Sequence, residues 1–389
     1  MTATVTLGRI AGIRVGVHWS VLGIVAILAG LGIARWPDAI PGQPTAAYVV
    51  AALAGAALFL ASLLAHELAH ALVARRHGIP VDGITLWLLG GVARLRGEAS
   101  TPAAEFRIAA VGPLASVVVA AVCGVLAWVS VLVALPPLVF AVLAFLSLIN
   151  VVLALFNLVP AAPLDGGRIL RSLLWAWRGD RYRAAVASAR AGKVFGLALI
   201  ALGGVWLLAA AGANGIWWIL IGLFIVLVAS VEEHQARTFA ALSGLRVRDA
   251  MTPNPERVDG ATSLAAFVDD LAPTRKHSAY PVVDPTGRPL GLMTLDRVGS
   301  VRRERWPSTP LDAVAHAMTA VPTVGPDDEL AEVLPRLQDG RTDGRGLVVE
   351  GGGLVGIITP SDISRIATLR GLSRSKSAGL FTGRGAGWP

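Results

Sequence analysis

Leu63-Leu64-Ala65-His66-Glu67-Leu68-Ala69-His70-Ala71 sets an H-E-x-x-H pattern inside an apolar run long enough to cross a bilayer. No charged residue occurs from Ala47 to Ala65, and then two histidines and a glutamate arrive together. On a helix, His66 and His70 lie one turn apart on one face, so two imidazoles can reach one metal ion. Glu67 beside them can serve as a base toward water activated at that ion. Ionisable groups at membrane depth are costly and therefore rare unless they serve a function. The competing reading is a chance H-E-x-x-H at a helix end, snorkelling to the interface.

Working outward, the 389 residues are 54% hydrophobic and only 15% charged, with a mean hydropathy of +0.64. A soluble domain carries about 25% charged residues. The deficit is concentrated: residues 1–244 hold 16 Lys/Arg and 9 Asp/Glu, against 18 and 17 in residues 245–389. A sparsely charged membrane part, 1–244, is therefore expected before a soluble part with ordinary charge density. The pI of about 10.6 could suggest nucleic acid. The basic excess lies in loops between apolar segments, however, which points to membrane orientation and to no nucleic-acid partner. The lone Cys123 sits in an apolar run and can build neither a disulfide nor a thiolate metal site. The N-terminus lacks a basic region before a short apolar core and cleavage site, so the first apolar segment is read as retained.

Charge-free runs predict six spans. Span one is Val15–Ala34, with His18 and Trp19 at its interfacial start. Span two runs from Ala47 to about Val73 and ends at Gly78, a C-cap glycine. Two more fall within Ile108–Leu164, divided at Pro136-Pro137, with Gly112-Pro113 a kink or a close helix approach. The last two fall within Val194–Val231, split at Gly212-Ala213-Asn214. Val81 to Gly97 is too short and broken for a span and reads as a hairpin or small sheet, whose open edges could accept an extended peptide. Asn157-Leu158-Val159-Pro160-Ala161-Ala162-Pro163-Leu164-Asp165-Gly166-Gly167 breaks a helix around one carboxylate. Broken backbone at this depth is tolerated only where it is buried in protein or lines a cavity. Asp165 is thus a candidate third metal ligand; the alternative is an N-cap for the amphipathic segment Arg168 to Trp177. All Lys/Arg of residues 1–244 except Arg35 fall on one side of the six-span arrangement. That asymmetry predicts a multi-pass protein of the cell membrane with both termini cytoplasmic, and puts H-E-x-x-H and Asp165 at the cytoplasmic ends of spans two and four.

Residues 245–371 hold an internal repeat. Asp249-Ala250-Met251-Thr252 returns as His316-Ala317-Met318-Thr319, and Gly291-Leu292-Met293-Thr294 as Gly356-Ile357-Ile358-Thr359. Each copy reads as a short strand, a helix (Ser263–Leu271; Glu329–Leu337) and two strands (Ala279–Val283 and Pro289–Thr294; Gly346–Glu350 and Leu354–Thr359). The copies divide as 245–304 and 305–371. A single copy cannot bury its sheet, so the two are expected to pair. The tail 372–389 is Gly/Ser/Arg-rich and expected to lack fixed structure.

This repeat resembles the CBS domain pair, whose members bind adenine nucleotides between copies. The family signature Thr-x-x-Asp stands intact as Thr359-Pro360-Ser361-Asp362, making Thr359 and Asp362 candidate nucleotide-binding residues. In the first copy Arg297 takes the aspartate position, with Asp296 one residue early. The alternative is a purely structural dimerisation module, and a homodimer through the CBS domains is expected. The membrane part resembles the site-2 proteases, intramembrane zinc metalloproteases of peptidase family M50, in the subgroup with a C-terminal CBS pair. The resemblance rests on H-E-x-x-H at the end of span two, Gly90-Gly91-Val92-Ala93, and Asn157…Pro160…Pro163-Leu164-Asp165-Gly166-Gly167. It implies an all-α polytopic membrane core with a small β-sheet, plus an α/β CBS pair. It further implies one Zn2+ per chain on His66, His70 and Asp165, with Glu67 as catalytic base. Asn157 would hold the polarised carbonyl oxygen, and the hairpin near Gly91 would align the substrate. The implied partners are the lipid bilayer and membrane-embedded substrates such as anti-sigma factors. Two rivals are a CBS-regulated transporter, which also uses broken helices around a carboxylate, and a non-catalytic zinc-binding scaffold. The six spans show no inverted repeat, and a scaffold has no need of Glu67.

Overall fold

The computed structural model describes residues 4–88, 90–95, 97–209, 214–271, 277–338 and 342–379. The chain divides into two compact units, Met1–Arg237 and Thr238–Pro389. The division falls before the boundary expected after Gly244.

The first unit is helical around one small sheet. Two strands, β1 (Val5–Ile10) and β2 (Ile13–Val17), lead into the helices α1 (Val21–Ala39) and α2 (Thr45–Arg76). Strands β3 (Val81–Trp87) and β4 (Gly90–Leu95) follow, then α3 (Pro102–Leu132), α4 (Pro137–Asn157), α5 (Asp165–Arg178), α6 (Arg181–Leu208) and α7 (Asn214–Leu242). Among the described residues six helices are long and apolar enough to cross a membrane: α1, α2, α3, α4, α6 and Gly215–Leu242 of α7. At 1.5 Å per residue α2 is about 48 Å long, more than the ~30 Å hydrocarbon core, so it must extend beyond it. Gly78 closes α2 with a left-handed φ of 78°, a conformation that costs glycine nothing.

The sheet has the order β1-β2-β3-β4, with β2 and β3 parallel and the other pairs antiparallel. Its core face packs Ile13, Ile84 and Leu86 against Leu63 and Ala71 of α2. The hairpin expected over Val81–Gly97 is present as β3 and β4, and an N-terminal hairpin extends it. This corrects the first span. Val15–Val17, expected in a helix, pair with Ile84–Leu86 as strand, and the helix begins at Val21. The alternation Ile13-Arg14-Val15-Gly16-Val17 satisfies the period of a strand, and lack of charge could not distinguish that from a span. At its other end α1 runs past Ala34, the expected end of the span, through Arg35-Trp36-Pro37-Asp38 to Ala39. The break expected at Gly212-Ala213-Asn214 falls largely outside the described residues.

The second unit has two four-stranded sheets. The strands are β5 (Thr252–Pro253), β6 (Val258–Asp259), β7 (Ala279–Val283), β8 (Pro289–Thr294), β9 (His316–Ala317), β10 (Thr323–Val324), β11 (Gly346–Glu350) and β12 (Gly353–Ile358). The sheet orders are β6-β7-β8-β9 and β10-β11-β12-β5, so each copy completes its sheet with a short strand from the other. The repeated tetrapeptides found in the sequence are these partners: Leu292 pairs with His316, and Ile357 with Thr252. A Cβ on Gly291 would strike the His316 carbonyl oxygen, which explains the glycine at the head of that repeat. The helix Pro360–Gly379 runs into the tail expected to lack structure. Between Pro360 and Gly379 only Gly371 weakens it, too little to stop a helix already nucleated. Residues 380–389 lie outside the described residues.

Candidate metal centre

His66 and His70 sit two turns before the end of α2, 3% and 6% exposed. Their Nε2 atoms lie 3.1 Å apart, and each lies 3.2 Å from Oδ2 of Asp165. Among the described residues this is the one group of three His, Cys, Asp or Glu side chains close enough to share a metal ion. The far side of each ring is tied down. His70 Nδ1–H donates to the Ile108 carbonyl at 2.6 Å, and His66 Nδ1 lies 2.9 Å from Ser116 Oγ. A carbonyl can only accept, so a neutral His70 turns an unprotonated Nε2 toward the other two groups. Lone pairs thus converge at short range, as a cation would require. Donors 2.0–2.1 Å from a tetrahedral centre stand ~3.4 Å from one another, close to the spacing observed. Two imidazoles and one carboxylate are the donor set of a catalytic zinc site.

Gly112 makes room for this cluster. A Cβ there would fall on His70 Nε2 and 2.7 Å from His66 Nε2. The close approach expected at Gly112-Pro113 is therefore made against the histidines themselves. Asp165 is brought in by the broken segment after α4. It is the first residue of α5, and Leu164 holds the N-cap position, so the N-cap alternative does not hold. A Cβ on Gly166 would strike the carbonyl oxygens of Leu158 and Val159, and one on Gly167 the Ala161–Ala162 peptide. Only glycine lets the turn close this tightly. From below, Ser188 of α6 donates to the Gly167 carbonyl at 2.7 Å, and Gly192 leaves space for the carbonyl of Ala162.

Glu67 lies beside the pair, half-buried, with no hydrogen-bond partner among the described residues. Strand β4 crosses directly over it: a Cβ on Gly91 would strike Glu67 Cγ and lie 2.9 Å from its Oε1. β4 is also an edge of the sheet, so its outer backbone groups are open to another strand. Asn157 ends α4, where Nδ2 donates to the Leu153 carbonyl at 3.1 Å and its second N–H has no partner among the described residues. In the second unit, Asp362 Oδ2 accepts from the backbone and hydroxyl of Thr359 at 3.1 and 2.7 Å. Both residues line a cavity of about 470 Å³ with Thr252, His277 and Arg345. At the matching place in the first copy, Arg297 Nε donates to the Val314 carbonyl.

Sequence reading did not find Ser116, Ser188 or the Ile108 carbonyl. The only signal for Ser116 was a hydroxyl in an apolar span, four residues after Gly112. A main-chain carbonyl leaves no trace in a sequence at all.

The model of peptidase family M50 matches residues 54–136 and 133–202, and the CBS domain model matches 247–298 and 307–368. Rip3 of Mycobacterium tuberculosis, named as a candidate zinc metalloprotease, is 43% identical over 94% of this chain and 93% of its own. The zinc metalloprotease MJ0392 of Methanocaldococcus jannaschii is 30% identical over 95% of this chain and 97% of its own. A solved site-2 protease from Methanocaldococcus jannaschii is 29% identical, covering 59% of this chain and 94% of that one with a TM-score of 0.41.

Proposed function

We propose, for a chain that belongs to peptidase family M50 and is therefore a zinc-dependent metalloprotease of the site-2 type, that it cleaves transmembrane segments of membrane proteins at the His66–Glu67–His70–Asp165 centre. The observation that carries this reading is the meeting of two Nε2 atoms and one carboxylate oxygen at 3.1–3.2 Å, with Glu67 beside them under a sheet edge. Zinc held by His66, His70 and Asp165 would supply Lewis acidity toward water and a peptide carbonyl. Glu67 takes a proton from the attacking water and passes it to the leaving amine. The spare N–H of Asn157 is a donor for the carbonyl oxygen as negative charge builds on it. The substrate adds to β4 as an extended strand, which lines its backbone up beside Glu67. It must first leave its helix, because a helical peptide bond is shielded by its own backbone.

The same reading has the enzyme in the cell membrane with cytoplasmic termini and one Zn2+, acting on membrane-embedded substrates such as anti-sigma factors. Its domains are 1–244 and the CBS copies 245–304 and 305–371, through which two chains pair. An adenine nucleotide in the cavity beside Thr359 and Asp362 tunes activity; Asp362→Ala should weaken that binding. The deciding experiment is Glu67→Gln in proteoliposomes. Zinc should stay bound and cleavage of a transmembrane substrate should cease; continued cleavage rejects Glu67 as the base. Comparing the membrane proteins that accumulate in cells with this variant and with the wild type would identify the substrate.

A further inference from the structure

Outside the ligand cluster, a carboxylate is buried against the helix that begins with Asp165. Glu105, in the first turn of α3, is 3% exposed. Its Oε1 accepts from Arg171 Nε at 2.7 Å and from Arg171 Nη2, and lies 3.8 Å from Arg168 Nε. Both arginines belong to α5. Along α5, Asp165, Arg168 and Arg171 recur every third residue and so share a face. Along α3, Glu105, Ile108, Gly112 and Ser116 follow at intervals of three, four and four, again one face. That single stripe of α3 contacts His70 through Ile108, both imidazoles through Gly112, His66 through Ser116 and α5 through Glu105. One helix thus references both halves of the site, the histidines on α2 and the aspartate on α5.

The carboxylate is buried, whereas the Arg171 and Arg168 side chains keep 26% and 33% of their surface exposed. Withdrawing that carboxylate from water is costly, and ion pairs of this kind are weak evidence for stability by themselves. What two N–H donors of one guanidinium on one carboxylate provide is direction and register. A slip of α5 along α3 breaks the bond, whereas apolar side chains would slide. Such a slip would carry Asp165 away from the imidazoles.

We propose that Glu105, with Arg171 and Arg168, is a positioning residue of the metal centre: it locks α5 on α3 and so sets the distance from Asp165 to His66 and His70. This rests on the reading of those three residues as zinc ligands. The test uses the full-length protein in detergent. Zinc affinity is measured by chelator competition, ligand geometry by the visible spectrum of the Co2+-loaded form, and fold by thermal unfolding without metal. Glu105→Gln and Arg171→Lys should each weaken zinc about tenfold or more, within the range for residues that orient ligands. Each should also alter the Co2+ spectrum. The double variant should be no worse than the worse single, since both remove one interaction. Wild-type zinc affinity and an unchanged spectrum in Glu105→Gln would overturn the proposal, even with a lower unfolding temperature. If Glu105→Gln does not fold, Arg171→Lys, which keeps the charge and loses the fork, carries the same decision. Asp165→Ala separates the two failures. If it loses zinc while Glu105→Gln does not, only the lock is wrong; if it keeps zinc, the reading of the ligands is wrong.

Discussion

Gly112→Ala should empty the proposed metal centre without replacing any of its proposed ligands. The added methyl would sit on His70 Nε2 and 2.7 Å from His66 Nε2, the two atoms that would face the ion. Ordinary carbon contact needs about 3.5 Å, so the His66 ring alone must retreat by about 0.8 Å. Metal–ligand distances tolerate only about ±0.2 Å. The rings cannot retreat freely, because Ile108 and Ser116 hold their far nitrogens at 2.6 and 2.9 Å. Zinc affinity should therefore fall by at least 10²-fold, about 2.7 kcal/mol. The overpacking itself costs about 1–3 kcal/mol, partly offset by the ~1 kcal/mol helix preference of alanine over glycine. The assay is zinc content and chelator competition on detergent-purified protein, with thermal unfolding as the check on folding. Gly204→Ala is the matched control, because a Cβ there meets nothing within 4 Å. It should keep zinc and gain slightly in stability. A Gly112→Ala protein that binds zinc as the wild type does would refute the packing of α3 on the histidine pair.

Gly91→Ala should leave zinc bound and abolish most activity, because its methyl would strike the Glu67 side chain; equal loss of zinc would show that β4 supports the ligands instead. Ser188→Ala removes one hydrogen bond to the Gly167 carbonyl and should cost about 1 kcal/mol of stability in thermal unfolding. Chelation should lower the unfolding temperature of the wild type and leave that of Asp165→Ala unchanged, since a ligand stabilises only the state that binds it. In the second unit, Leu292→Ala should cost about 2–5 kcal/mol, because Leu292 is 0% exposed where β9 completes the first copy's sheet.

The membrane-length helices were legible because a bilayer imposes a one-dimensional rule. Charge-free runs of sufficient length must span it, and five of the six expected spans lie within long helices. The first was misplaced by six residues at its start because Val15–Val17 are apolar in either conformation, and only pairing with β3 decides between them. The CBS strands were legible to within a residue because they are short apolar runs set off by turns and repeated in both copies. Their exchange between copies was not, since a two-residue strand has no period to read.

From the sequence alone came the chemistry: which side chains could bind a metal, that two of them share a helix face, and that a carboxylate waits in a broken segment far along the chain. Local spacing suffices for His66 and His70, since the helix repeat sets their separation. The 95 residues from His70 to Asp165 impose no distance. Only the packing of α3, α5 and α6, through Gly112, Gly166, Gly167 and Gly192, brings that carboxylate within 3.2 Å of both rings. Close approach of this kind depends on side chains that are absent, and no local pattern records which surfaces such gaps admit.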